Sequence, residues 1–379
     1  MPSPYTALRP LFFRASAETA HHAGIRLGKL GQRLPALVRA LYAPGLDAAA
    51  AARVRTSAFG LDFANPVGVA AGLDKNAELV PLWASLGMGF CEVGSVSARA
   101  ADGNPKPRAF RLPEDRALIN RMGLNNDGAE AIAARLRGVR RPRGFRLAIN
   151  LVKTHDPTIL GDEGIEDFVL SARAMLPLAD LVVLNVSCPN TTEGKTFESP
   201  EALTPLLDAV LTERARQGSE VPMLVKFSPP DAVEFDAGPI DDLVALSLER
   251  GIAGFVATNT ASDRDGLRTA SATLDAIGRG GLSGAPLAAR AEALVRHLYR
   301  TVGDRATIVG VGGIDSPEAA YRRIRAGATL VELYTGLVYE GPALVKRTVR
   351  YLADRLEKDG FDTLSDAVGV DADAVRPAR

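Results

Sequence analysis

The stretch LADLVVLNVSCPNTTEGK, residues 178–195, passes from an apolar segment straight into a loop of serine, cysteine, proline and asparagine. Its centre, LVVLNV (181–186), has no solvated face, a pattern a strand shows only when both its faces are covered. Such a strand belongs to a parallel sheet under helices, and an α/β protein places its chemistry just beyond the strand's C-terminal end.

Seven further runs of this kind flank it: VGVAA (67–71), CEVGSV (91–96), LAINLV (147–152), PMLVKF (222–227), GFVATN (254–259), TIVGVG (307–312) and TLVELY (329–334). Most stretches between them read as amphipathic helices, such as ELVPLWASLG (78–87), AEAIAARLRG (129–138), PEALTPLLDAVLTERAR (200–216), LAARAEALVRHLYR (287–300) and PEAAYRRIRAG (317–327). Eight buried strands, each followed by a helix, predict an α/β fold of the (β/α)8 TIM barrel kind, with a doubly wound open sheet as the alternative. A barrel should carry its ligand groups where the strands end. Polar motifs stand at each of those places: AGLDKN, GSVS, INLVK, NVSCPN, VKFSP, ATNT, GVGGI and LYTG.

Two of these motifs form a candidate phosphate site. GVGG (310–313) precedes a helix opened by Ser316-Pro317-Glu318, and YTG (334–336) precedes GPALVKRTVRYL. Together they can aim backbone N–H groups at one phosphate. No Rossmann fingerprint with a downstream acid is present, which favours a mononucleotide over a dinucleotide.

Asn120, Asn185, Asn190 and Asn259 are expected in loops above strand ends, beside Thr260. A lone asparagine there is usually a cap or turn residue. Four together suit a small planar ligand with alternating donors and acceptors, since each amide offers both. Lys75 and Lys226 add positive charge at two strand ends. A buried lysine without an acidic neighbour needs a ligand anion or an electron-rich ring to offset its desolvation. Cys188, at the mouth of the fourth strand, lacks the partners of a nucleophile or a metal ligand, because His155 is the only histidine near a barrel mouth and no acidic residue accompanies it. Proton abstraction remains, as a thiol lies much closer to operating pH than a hydroxyl does.

The bulk properties narrow the rest. A chain of 379 residues suits one large barrel or two ordinary domains. Lys plus Arg and Asp plus Glu are 45 each, so no global field argues for nucleic acid. Two cysteines supply neither a disulfide framework nor a four-cysteine zinc site, which points to the cell interior. No apolar run is long enough to span a membrane, and no secretory signal is evident. Residues 1–46 nevertheless carry six cations against the single anion Glu18, and an apolar stripe at helical spacing broken by Gly31 and Pro35. They are expected to form two short amphipathic helices, either a membrane-surface element or a cap on residues 47–379.

With these residues in view the chain resembles the dihydroorotate dehydrogenases, flavin enzymes of pyrimidine synthesis. The likeness is carried by NPVGVAAGLDKNAE, PRAFRLPEDRALINRMG, NVSCPNT, ATNT, GGLSGAPL and VGVGGIDS, in that order along the chain. LFFRASAETAHH near the start and DGFDTLSDAVGVD near the end are similar to the quinone-linked, membrane-associated branch. The resemblance implies FMN held by Ala71, Gly72, Lys75, Ser95, Asn150, Asn185, Lys226, Thr258, Gly284, Gly313, Tyr334 and Thr335. It implies dihydroorotate held by Lys75, Asn185, Asn190, Asn259 and Thr260 with the loop Asn120, Arg121, Met122, Gly123 and Leu124. Cys188 would take a proton from C5 of the substrate while hydride passes from C6 to the flavin. His21 and Arg111 would line a quinone site. No metal is implied, and the expected location is peripheral, on the cytoplasmic face of the cell membrane.

Cys188 and Leu124 depart from that branch, which usually has serine and phenylalanine there, and look like the soluble branch. NLVKTHDP likewise replaces a more usual glycine-bearing NIGKN after the third strand. Three readings follow: a quinone-reducing dihydroorotate dehydrogenase, the same oxidation with a soluble acceptor, and a non-catalytic barrel that only binds.

Overall fold

Eight parallel strands close into a barrel in chain order: Val67–Val69, Phe90–Val96, Arg146–Leu151, Leu181–Asn185, Met223–Phe227, Gly254–Ala257, Thr307–Val311 and Leu330–Leu333. The last strand pairs with the first at Val331 and Val67, which leaves no edge. The structure is a computed structural model and describes residues 4–187 and 197–373. All eight strands coincide with the apolar runs read from the sequence, and the open-sheet alternative falls with the closed barrel.

Two cores explain why these runs lack a polar face. Outside the barrel, Phe168, Met175, Leu206, Val210, Leu298 and Leu352 pack helices onto the strands. Inside, Phe63, Phe90, Leu181, Leu224, Val256 and Leu330 fill the lower barrel. Gly68 leaves room for the Phe90 ring, since a Cβ there would stand 2.5 Å from ring carbons. A hairpin, Thr56–Ala58 with Leu61–Phe63, plugs the bottom, its Phe63 ring edge-on to Phe90 at 5.9 Å.

Two features differ from expectation. The N-terminal segment forms three helices, Pro4–Phe12, Ala17–Gly31 and Pro35–Tyr42. The break at Gly31 and Pro35 is as expected, and the additional one is set by Ser16, whose Oγ accepts from the Thr19 N–H and caps the second helix. The second difference is an antiparallel sheet of Ala109–Leu112, Ala117–Asn120 and Gly281–Gly284. It has its own small core of Leu112, Ile119, Ile277 and Leu282. Asn120 therefore ends a strand of this accessory sheet and does not stand in a loop directly above a barrel strand.

Candidate active site

Alternate residues of a barrel strand point inward. Climbing from bottom to mouth, the inward positions change from apolar to polar on five strands: Phe90 to Glu92, Ala148 to Asn150, Val183 to Asn185, Leu224 to Lys226 and Leu330 to Glu332. The result is a polar layer above an apolar plug.

That layer holds three buried charges. Lys226 Nζ lies 3.0 Å from Glu92 Oε2 and 3.9 Å from Glu332 Oε2, all three residues being at most 5% exposed. Asn150 Nδ2 donates to Glu92 Oε1 at 2.6 Å, and the Ala71 N–H to Glu92 Oε2 at 3.3 Å. Lys226 therefore has acidic neighbours, contrary to the expectation of a lysine paired only by ligand. Burial alone would push Glu92 up, but the Lys226 ammonium, with hydrogen bonds from Glu332 and Asn150, holds its carboxyl below the ordinary range. Burial would lower Lys226, and its two carboxylate neighbours raise it instead. Glu332 is driven well above the ordinary range by burial and by the charge of Glu92. The trio is neutral when Glu92 is ionised, Lys226 charged and Glu332 protonated.

Above this layer lies a cleft enclosing about 1090 Å³ of space, open mouth included. It is lined by Ala71, Gly72, Lys75, Ser95, Asn185, Lys226, Thr258, Gly284, Gly313, Tyr334 and Thr335 of the cofactor set, and by Asn120, Met122, Leu124, Asn259 and Thr260 of the substrate set. The amides are held in place by one another. Asn259 Nδ2 donates to Asn185 Oδ1 at 3.0 Å and to the Ser187 carbonyl at 3.2 Å, while Asn185 Nδ2 donates to Ser95 Oγ at 3.2 Å. Lys75 Nζ donates to the Gly72 carbonyl at 2.7 Å. Burial pushes the Tyr334 hydroxyl up to about 12, so it stays protonated. Gly123 and Leu124 both have positive φ, 70° and 54°, which turns the chain sharply between Met122 and Leu124.

The remaining residues fall as follows. Asn150 lies beneath the cleft as a partner of Glu92. Gly123 supplies the turn of its loop, and the Arg121 guanidinium stacks 4.7 Å over the Phe110 ring and donates to the Ile277 carbonyl, so neither is among the lining groups. Cys188 and Asn190 lie outside the described residues. His155 is bonded to Asn104 at 3.1 Å. His21 is pulled down to about 4, by burial first and then by the nearby Lys75 and His22 charges against the opposing Glu18. His21 belongs to the second helix, and Lys75, whose charge bears on it, lines the cleft. Arg111 donates to the carbonyls of Phe12 at 3.3 Å and Ala15 at 2.6 Å and lies 4.6 Å over the Phe13 ring, locking the turn between the first two helices.

Glu92, Glu332, Ser283, Arg116 and Asp315 were missed. Ser283 Oγ meets Thr335 Oγ1 at 2.8 Å, and Arg116 bridges Asp315 and Glu340 at 3.0 and 2.9 Å beside the two glycine-bearing loops. For the glutamates a signal existed: a charged residue inside CEVGSV and inside TLVELY, at the position whose parity points into the barrel.

A family model described as dihydroorotate dehydrogenase matches residues 53–356. The chain belongs to the dihydroorotate dehydrogenase family. Curated relatives named dihydroorotate dehydrogenase (quinone) include that of Nocardia farcinica, 44% identical over 98% of both chains. That of Thermobifida fusca is 43% identical over 96% of this chain and 95% of its own. Among solved structures, DHODH from Eimeria tenella in complex with ferulenol superposes with a TM-score of 0.83 at 31% identity, covering 98% of this chain and 99% of that one. Enzymes of this family use a flavin.

Proposed function

We propose that the cleft binds FMN with dihydroorotate against it, and that the protein oxidises (S)-dihydroorotate to orotate in pyrimidine biosynthesis and passes the electrons to a quinone. The observation that carries this reading is the convergence, at one barrel mouth, of strand-end groups with buried oxygens that have no partner among the described residues, Thr260 Oγ1 and Asn125 Oδ1. Unpaired buried acceptors are costly, and a planar ligand bearing N–H groups would satisfy them. The glycines fit the same account. A Cβ at Gly72 would stand 3.3 Å from the Tyr334 ring, and one at Gly284 would strike the Arg116 carbonyl.

When bound, FMN supplies a two-electron acceptor for the hydride leaving C6 of the substrate. The chain's own residues do the rest. Lys75, Asn185, Lys226, Thr258 and the layer beneath them would hold the ring, while Gly284, Gly313, Tyr334 and Thr335 would hold the phosphate. Asn120, Asn190, Asn259 and Thr260 would orient the pyrimidine, and Cys188 would accept the C5 proton. Dihydroorotate should bleach the bound flavin anaerobically, and Cys188→Ala should slow this roughly 10² to 10⁴-fold without loss of flavin. Near-normal reduction in that variant would remove Cys188 from its role.

Quinone as acceptor is supported by the helices packed on the barrel. Tyr5 and Arg9 donate to the carbonyls of Val338 and Tyr339 at 2.6 and 2.9 Å, and Glu18 pairs with Arg108 at 2.9 Å. His21 and Arg111 would face a quinone entering between these helices and the barrel. Leu27, Leu30, Leu34, Leu37 and Leu41 are each more than half exposed on the second and third helices and the turn between them. With the cations of residues 1–46 they suit a peripheral seat on an anionic membrane. No helix among the described residues is long and apolar enough to cross a membrane. Serine at these five leucines should abolish binding to anionic vesicles while flavin reduction persists. Quinone, fumarate and NAD compared as acceptors would test the route, and faster turnover with fumarate or NAD would favour a soluble acceptor.

A further inference from the structure

Arg323 lies on the helix Pro317–Arg325, behind the turn after the seventh barrel strand, and is 2% exposed. Its Nη1 donates to the Val311 carbonyl at 3.1 Å, and its Nη2 to the carbonyls of Gly312 and Ala288 at 2.9 and 3.1 Å. Nε has no partner among the described residues, and no carboxylate there forms an ion pair with it. Burial pulls the guanidinium down to about 10, Glu292 opposing this and Arg322 adding to it, so it stays charged at neutral pH. The fold makes room for this cation. A Cβ at Gly310 would stand 2.6 Å from Arg323 Cγ, and Gly312 adopts a φ of 102°.

A buried cation with neutral partners alone is unfavourable unless an anion lies close by. The peptide geometry shows where that anion belongs. In a trans peptide the N–H points opposite to the C=O. Fixing the Val311 and Gly312 carbonyls on Arg323 turns the N–H groups of Gly312 and Gly313 to the other side, and both glycines line the cleft. We propose that Arg323 is a positioning residue for the cofactor's phosphate, holding the Val311–Gly313 turn by its carbonyls and supplying the charge that an anion on the N–H side completes.

The inference rests on the FMN reading, and the two fail differently. Holoenzyme is equilibrated with excess riboflavin, which lacks the phosphate, and FMN release gives an exchange constant. Arg323→Gln, which keeps donors for the carbonyls, and Arg323→Met should each exchange FMN for riboflavin roughly tenfold or more in riboflavin's favour relative to wild type. Arg323→Lys, which keeps the charge, should stay within about threefold of wild type by the same reasoning. The Gln variant is the milder change should the Met variant not fold. An exchange constant unchanged in the neutral variants, or a loss of both flavins alike, overturns the inference and leaves a purely structural arginine. Extraction of a flavin other than FMN from the wild-type protein overturns the cofactor reading instead.

Discussion

Replacing Glu332 by glutamine tests the proton that the buried trio requires. In the unfolded chain this carboxyl ionises near its ordinary value of 4.5, whereas in the barrel burial and Glu92 keep it protonated well above that. Between those two values the folded state binds one more proton than the unfolded state, so wild-type stability falls as pH rises. The slope is about 1.4 kcal/mol per pH unit over the interval in which the folded carboxyl keeps its proton and the unfolded one has lost it. Glutamine does not titrate, has nearly the same shape and can donate to Glu92 as the protonated acid does. Its stability relative to wild type should therefore already be positive at pH 5 and climb further as pH rises toward 7. Urea unfolding with saturating flavin at pH 5, 6, 7 and 8 would measure it, with an unchanged m-value as the control for two-state behaviour. A difference that is flat from pH 5 to 7, or that turns toward wild type as pH rises, would refute the protonated assignment.

Other outcomes follow from the same geometry. Lys226→Met leaves Glu92 buried without its cation and should destabilise the fold by about 3–5 kcal/mol at pH 7, with much of the loss recovered on adding Glu92→Gln, both read by urea unfolding. His21 titrates near 4 in place of 6.5, so the folded state resists protonation and stability falls as pH drops through that interval. His21→Gln should flatten that acid limb in thermal melts between pH 6.5 and 4. Asn259→Ala should weaken orotate binding by about 1–3 kcal/mol, seen in the flavin absorbance change on titration, because it removes a ligand partner and also the brace on Asn185.

What the sequence revealed, and what it hid, follows from how far each residue's fate depends on its neighbours in the chain. A strand covered on both faces must be apolar throughout, so VGVAA, LVVLNV and TIVGVG could be read as barrel strands without reference to one another. Strand ends are fixed by the same runs, which is why Lys75, Ser95, Asn185, Thr258 and Tyr334 could be placed at one mouth. The accessory sheet escaped because Ala117–Asn120 pairs with Gly281–Gly284, more than 150 positions away, and its four-residue strands carry no periodic signal of their own.

The glutamates show a third kind of limit. Glu92 and Glu332 sit in runs whose apolar character marks them as buried, and burying an acid inside such a run contradicts the local pattern. Only the parity of each strand, taken with the ordering of strands around the barrel, brings the two acids to one level with Lys226. Local inconsistency of this sort collects at functional sites, where a partner elsewhere in the fold offsets the unfavourable choice. The barrel supplies that partner in Lys226, while burial and the Glu92 charge raise the Glu332 carboxyl well above its ordinary range. An acid in an apolar run whose parity points inward, in a barrel with a lysine at the same height, therefore reads as part of the floor of the site and not as an error of strand assignment.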